Sequence, residues 1–153
     1  MFPRAIASLV ALALYGCAAI AADAPIPPTP EPVSLVSASP AGAEVYFISP
    51  ADGETVASTF VVRFGLKGMG VAPAGADLPN TGHHHLLIDQ KGEFNRSLPL
   101  PMTEQILHFG GGQTETSVTL APGKHTLQLV LGNYLHVPHN PPVVSKVITV
   151  TVK

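Results

Sequence analysis

Residues 59–66 read Thr-Phe-Val-Val-Arg-Phe-Gly-Leu. Side chains in an extended chain alternate between two faces, so Phe60, Val62, Phe64 and Leu66 share one side and Val61, Arg63 and Gly65 the other. That is the pattern of a strand with one face in a core. The same two-residue period picks out Leu86 with Ile88, Thr116 with Val118 and Leu120, Leu127 with Leu129 and Leu131, and Ile148 with Val150 and Val152. A first strand over 44–48 and one around 105–109 bring the count to about seven. Turn signals separate the strands at Pro50-Ala51-Asp52-Gly53, Gln90-Lys91-Gly92, Gly110-Gly111-Gly112 and Ala121-Pro122-Gly123.

Composition agrees with an all-β chain. Sixteen prolines and 14 glycines with 12% charged residues suit many turns and few long helices. The expected fold is an immunoglobulin-like antiparallel β-sandwich, with strands A over 44–48, B over 55–66, C over 83–89, D over 102–109, E over 114–120, F over 124–131 and G over 143–152. The segment Leu120-Ala121-Pro122-Gly123-Lys124-His125 resembles the corner between the fifth and sixth strands of such domains, with His125 where a tyrosine would bond back to the backbone. The net charge of −2 and singly scattered Lys and Arg offer neither a nucleic-acid footprint nor a basic membrane patch.

Residues 1–22 read as a signal peptide: Arg4, an apolar run from Ala5 to Tyr15, then small residues ending in Ala21-Ala22. The run is about 11 residues, too short for the roughly 20 that a membrane-spanning helix needs. Two processing routes stay open. Simple cleavage near Ala21 or Ala22 would release a periplasmic protein without cysteine, whereas Leu14-Tyr15-Gly16-Cys17 resembles a lipoprotein box that would leave a lipid anchor on Cys17. Residues 23–42 are rich in Pro, Ala and Ser and read as a linker, with the folded domain over 43–153.

Six of the seven histidines fall where the sandwich would gather them. The B–C, D–E and F–G connections lie at one end of this topology. His83, His84 and His85 open strand C after the B–C loop, His108 closes strand D, and His136 and His139 lie in the Pro-rich F–G loop. Alternation puts His84 on the core face with Leu86 and Ile88, and His83 and His85 together on the other. Imidazole ligation without thiolates favours copper or zinc, so His83, His84, His85, His108, His136 and His139 are the candidate metal ligands. Met69 and Met102 are soft donors that more often serve packing. The plain alternative is that these histidines are structural hydrogen-bonding groups.

The stretch Tyr46-Phe47-Ile48-Ser49-Pro50 with Asp52-Gly53, then GLKGMGVAPAGADLPNTGHHHLLID, HFGGGQTET, LAPGKHTLQLVLGN and HVPHNPPVVS, resembles an exported bacterial family known as domain of unknown function 4399, over about residues 44–152. The resemblance implies one folded unit and no particular activity. It also implies histidines just before His108 and His136, where this chain has Ile106 and Tyr134.

Two readings of function follow. One is a periplasmic module that binds a metal ion through clustered histidines. The other is a module for a small ligand or a protein partner, in which the long B–C loop, Lys67–Gly82, carries recognition and the histidines fix geometry. An enzyme is the least expected class: no serine lies in a nucleophile motif, Ser97 is merely nearby in sequence, and a metal-dependent hydrolase would need an open coordination position and a general base, for which Asp89 is a remote candidate.

Overall fold

Strand alternation is the feature from which the fold is built. The computed structural model describes residues 34–153; the segment read as a signal peptide, Cys17 and most of the segment read as a linker lie outside the described residues. Among them are nine strands: β1 (Glu44–Ser49), β2 (Thr55–Val56), β3 (Thr59–Lys67), β4 (Gly70–Val71), β5 (Thr81–Ile88), β6 (Ile106–His108), β7 (Glu115–Thr119), β8 (Gly123–Gly132) and β9 (Ile148–Val152). They form two sheets. One has the order β1-β3-β7, and the other runs β2-β9-β8-β5-β4 with β6 also paired to β5.

The chain is thus an all-β sandwich, and its inner layer is the one the alternation predicts. Val62, Phe64 and Val118 of the smaller sheet meet Leu86, Ile88, Leu127, Leu129, Leu131, Ile148 and Val150 of the larger. Burying each such side chain stabilises the fold by roughly 1.5–3 kcal/mol. Tyr46 lies opposite Gly65 in the β1–β3 register, and its ring covers the space where that glycine has no side chain.

Three strands differ from the simple sequence pattern. Strand B splits: β2 pairs in parallel with β9 in the larger sheet, and β3 then crosses to the smaller one. Strand G pairs first through Val144 with Val130 and resumes as β9 only at Ile148, because Lys146 and Val147 leave the ladder and are exposed. Strand D shrinks to three residues and pairs antiparallel with strand C, placing His108 beside His85 and Ile106 beside Leu87. The reason is apolar: Ile106 joins Leu87, Leu100 and Val130, flanked by Phe94 and Val144, in a second small core on the outer face of the larger sheet.

The linker reading ends earlier than residue 42. Ser39 donates its amide to the Asn140 carbonyl and Asn140 donates its own to Ser37, so residues 37–39 run as a strap along the loop after β8.

At the far end of β5, Asp89 adopts a left-handed φ of 51°. One carboxylate oxygen accepts the Thr126 amide at 2.8 Å, and the other lies 2.6 Å from His125 Nδ1. His125 Nε2 donates to the Ala121 carbonyl at 2.9 Å, the backbone bond expected of the corner residue. The Asp89 contact raises the His125 pKa, and in the protonated ring both nitrogens donate. Replacing Asp89 with alanine removes the turn cap and the pair together. A loss of about 1–2 kcal/mol is expected in urea unfolding at pH 6; an unchanged midpoint would show that the corner does not depend on them.

Candidate metal centre

The site begins with the split that β5 imposes on three consecutive imidazoles. His84 faces the inter-sheet core, where its ring packs against Phe64 at 5.1 Å between centroids. His83 and His85 face the other way, opposite Gly132 and Val130 of β8. β6 adds His108 directly beside His85. The loop after β8 adds His136, whose ring lies 4.9 Å from His83, 5.9 Å from His85 and 4.6 Å from His108. The remaining pairs are 4.8 Å (His83–His85), 4.9 Å (His83–His108) and 5.2 Å (His85–His108). Four imidazoles from three separate segments therefore surround one point.

Space for these rings comes from glycine. A methyl group on Gly132 would sit 2.7 Å from Cε1 of His85, and one on Gly110 would overlap the His108 ring. Neither glycine stands out in the sequence as part of a site, since each reads as an ordinary turn or strand-end residue.

His136 is held by backbone geometry. Its φ of 68° is left-handed, a conformation that a non-glycine residue adopts at some cost. Buried Asn133 enforces it: Oδ1 accepts the amides of Leu135 and Val137 at 2.9 and 3.0 Å, and the Asn133 carbonyl accepts the His136 amide at 2.8 Å. The same side chain donates through Nδ2 to the Leu35 carbonyl and Ser37 Oγ, at 2.8 and 2.9 Å, tying the loop to the strap. The His136 carbonyl in turn accepts the Leu100 amide at 2.9 Å.

Convergence, rather than a lack of partners alone, separates this group from the other histidines. Both ring nitrogens of His83, His84 and His85 are buried without a hydrogen-bond partner, as is Nε2 of His108, but His84 stands alone on the opposite face of the sheet. His83 is 0% and His85 1% exposed. A buried polar atom left unpaired costs about 1–3 kcal/mol, so several at one point call for a ligand or water. Ligand nitrogens of His83, His85 and His108 all lie within 4.8 Å of one another, an arrangement that could hold a metal ion. The His136 ring covers the trio, but its nitrogens are not among the ligand atoms that meet this spacing.

The other candidates stand elsewhere. Both nitrogens of His139 face backbone carbonyls, Nδ1 at 3.3 Å from Leu131 and Nε2 at 3.2 Å from Thr81, and burial favours the neutral ring, whose single N–H donates to one of the two. His84 is on the opposite face of the sheet; the Gln113 backbone approaches it, favouring its charged form slightly, without reaching hydrogen-bond geometry. Met69 packs against the main core. Met102 is 77% exposed and lines an open groove with Thr103, Glu104, Ile106, Leu107 and His108. Asp89 is engaged with His125, and Ser97 is exposed.

Burial disfavours the charged forms of His83, His85 and His108. Desolvation, followed by the charges of His136 and His108, pulls the His83 pKa down to about 4. Desolvation and then His83 pull His85 to about 3, and burial lowers His108 as well. Burial alone brings His84 to about 4. Neutral imidazoles are the form that binds metals.

Comparison with known proteins places the domain without naming an activity. Residues 62–153 match the family described as "Domain of unknown function (DUF4399)". The chain belongs to this family. The matched stretch starts inside β3 and carries all seven histidines, while β1 and β2 precede it. No curated protein and no solved structure matches the chain.

The depressed histidines link stability to pH. Their folded pKa values lie below the unfolded 6.5, so the metal-free domain has its full contribution from them above pH 6.5 and loses it as pH falls towards 4. His125, raised rather than lowered, keeps its contribution in this direction. Between pH 7 and 4.5 the unfolding free energy should fall by about 2 kcal/mol for each buried histidine that titrates. A flat urea-midpoint profile across that range would contradict the burial described here.

Proposed function

We propose that this is an exported module that binds a transition-metal ion through clustered imidazoles at one end of its β-sandwich, with copper and zinc as the ions that suit the donors. The observation that carries this reading is the set of unpartnered ring nitrogens on His83, His85 and His108, aimed at one point and kept neutral by burial. Metal ligation gives each ring a partner where the protein supplies none. The half-buried rings of His108 and His136 and the groove beside His108 give the ion a route in.

The amino-terminal signal supports export to the periplasm, by release after Ala21 or Ala22 or by lipid attachment at Cys17. On this reading the module binds rather than catalyses, and Asp89 serves the His125 corner instead of acting as a base at the cluster. A second reading, a module for a small ligand or protein partner, draws support from a cleft of about 440 Å³ between β1 and residues 144–148, lined by Tyr46, Phe47 and Ile148 among others.

Calorimetric titration of the purified, tag-free protein with Zn(II) and with Cu(II) at pH 7.5 tests the proposal. One equivalent is expected to bind, with affinity reduced at least ~100-fold in His83→Ala/His85→Ala. Unchanged affinity in that variant, or no stoichiometric binding to the native protein, would move the function to the cleft.

A further inference from the structure

We infer that the ion sits in a closed tetrahedral shell of four imidazoles, His136 joining His83, His85 and His108, and that Zn(II) is the ion this shell suits. The inference rests on the metal-binding reading above and deepens it. A metal–nitrogen bond of about 2.0–2.1 Å plus about 1.1 Å from ring nitrogen to ring centre puts each ring centre about 3.2 Å from a bound ion. Four ring centres at that radius are all about 5.2 Å apart in a tetrahedron, but about 4.5 Å apart for neighbours and 6.4 Å for opposite rings in a square plane.

The observed separations span 4.6–5.9 Å and cluster near the tetrahedral value. A square plane also requires two long pairs that share no ring. Only His85–His136 is long, at 5.9 Å, and the pair that would have to match it, His83–His108, is 4.9 Å. The ring centres therefore enclose a point rather than flank a plane, and His136, whose nitrogens stand outside the close-set group of three, completes the shell by turning its ring about the Cβ–Cγ bond.

The scaffold explains the shape. Successive same-face positions of one strand fix His83 and His85 side by side, and β6 sets His108 in the neighbouring row. These three form a triangular base on the sheet. His136 comes from a loop above that sheet, so it caps the base and cannot lie in its plane. Tetrahedral four-nitrogen coordination is a Zn(II) preference, whereas Cu(II) favours a tetragonal arrangement. Four protein ligands also leave no open position for a reacting water, as in structural or carrier sites rather than hydrolytic ones.

The test uses Co(II), whose visible spectrum reports coordination: four-coordinate tetrahedral ions absorb strongly, and five- or six-coordinate ions weakly. The native protein is titrated with Co(II), then with Zn(II) to displace it, beside His136→Asn. Asparagine tolerates the left-handed φ at this position, and urea unfolding of the metal-free variant confirms its fold. The expected result is one Co(II) with an intense tetrahedral band, displaced by one Zn(II). In His136→Asn the band should weaken as water enters, with Zn(II) bound roughly 10- to 100-fold less tightly.

Stoichiometric Co(II) binding with only a weak band, or an intense band unchanged in His136→Asn, would overturn the four-imidazole shell and leave metal binding intact. Failure of both Co(II) and Zn(II) to bind would overturn the shell and the metal-binding reading together.

Discussion

Alternation along one central strand is the constraint on which this molecule depends. β5 pairs with β8 along one side and with β4 and β6 along the other, so its residues have almost no freedom in where they point. Its core face carries His84, Leu86 and Ile88, and its outer face carries His83, His85 and Leu87. A slip of one residue would exchange the two sets, moving leucines out of the core and imidazoles into it. The large apolar layer between the sheets therefore locks the register, and the register places the imidazoles. Stability supplied on one face of the sheet fixes geometry on the other.

The outer face has its own smaller structure. Leu87, Leu100, Ile106 and Val130 hold β6 and the chain leading into it against the sheet, which carries His108 to the side of His85. Asn133 does the equivalent for the loop after β8, spending both ends of its amide on backbone and strap groups. Each element presents an imidazole to the same point, and Gly110 and Gly132 leave the room. Burial that would be costly for isolated histidines would favour metal ligation, since it keeps His83, His85 and His108 uncharged.

Much of this was legible in the sequence because two-residue alternation is a local signal. It marks the core strands, and it separates His84 from His83 and His85 without any tertiary information. The gathering of His108 and His136 with that pair follows from topology, since three connections share an end. What alternation does not reach is side-chain direction in irregular chain. His136 and His139 look equivalent in the Pro-rich loop, yet a left-handed backbone turns one ring to the cluster while the other lies between the carbonyls of Leu131 and Thr81. The pairing of β6 with β5 was hidden for a similar reason: it depends on the second core, whose members are far apart in sequence. The strap is legible only through hydrogen bonds from Asn133 and Asn140, because its Pro/Ala/Ser composition is that of a linker.

If four particular histidines form one metal centre and the other three do not, the seven side chains respond differently to the ion. Two-dimensional nuclear magnetic resonance correlating ring protons with ring nitrogens, recorded on nitrogen-15-labelled protein during Zn(II) titration at pH 7.5, separates the seven side chains directly. One equivalent is expected to shift a nitrogen in each of His83, His85, His108 and His136 to the metal-bound range, with His84, His125 and His139 unchanged. Coordination shifts on His139 or His125, or none on the four, would contradict it.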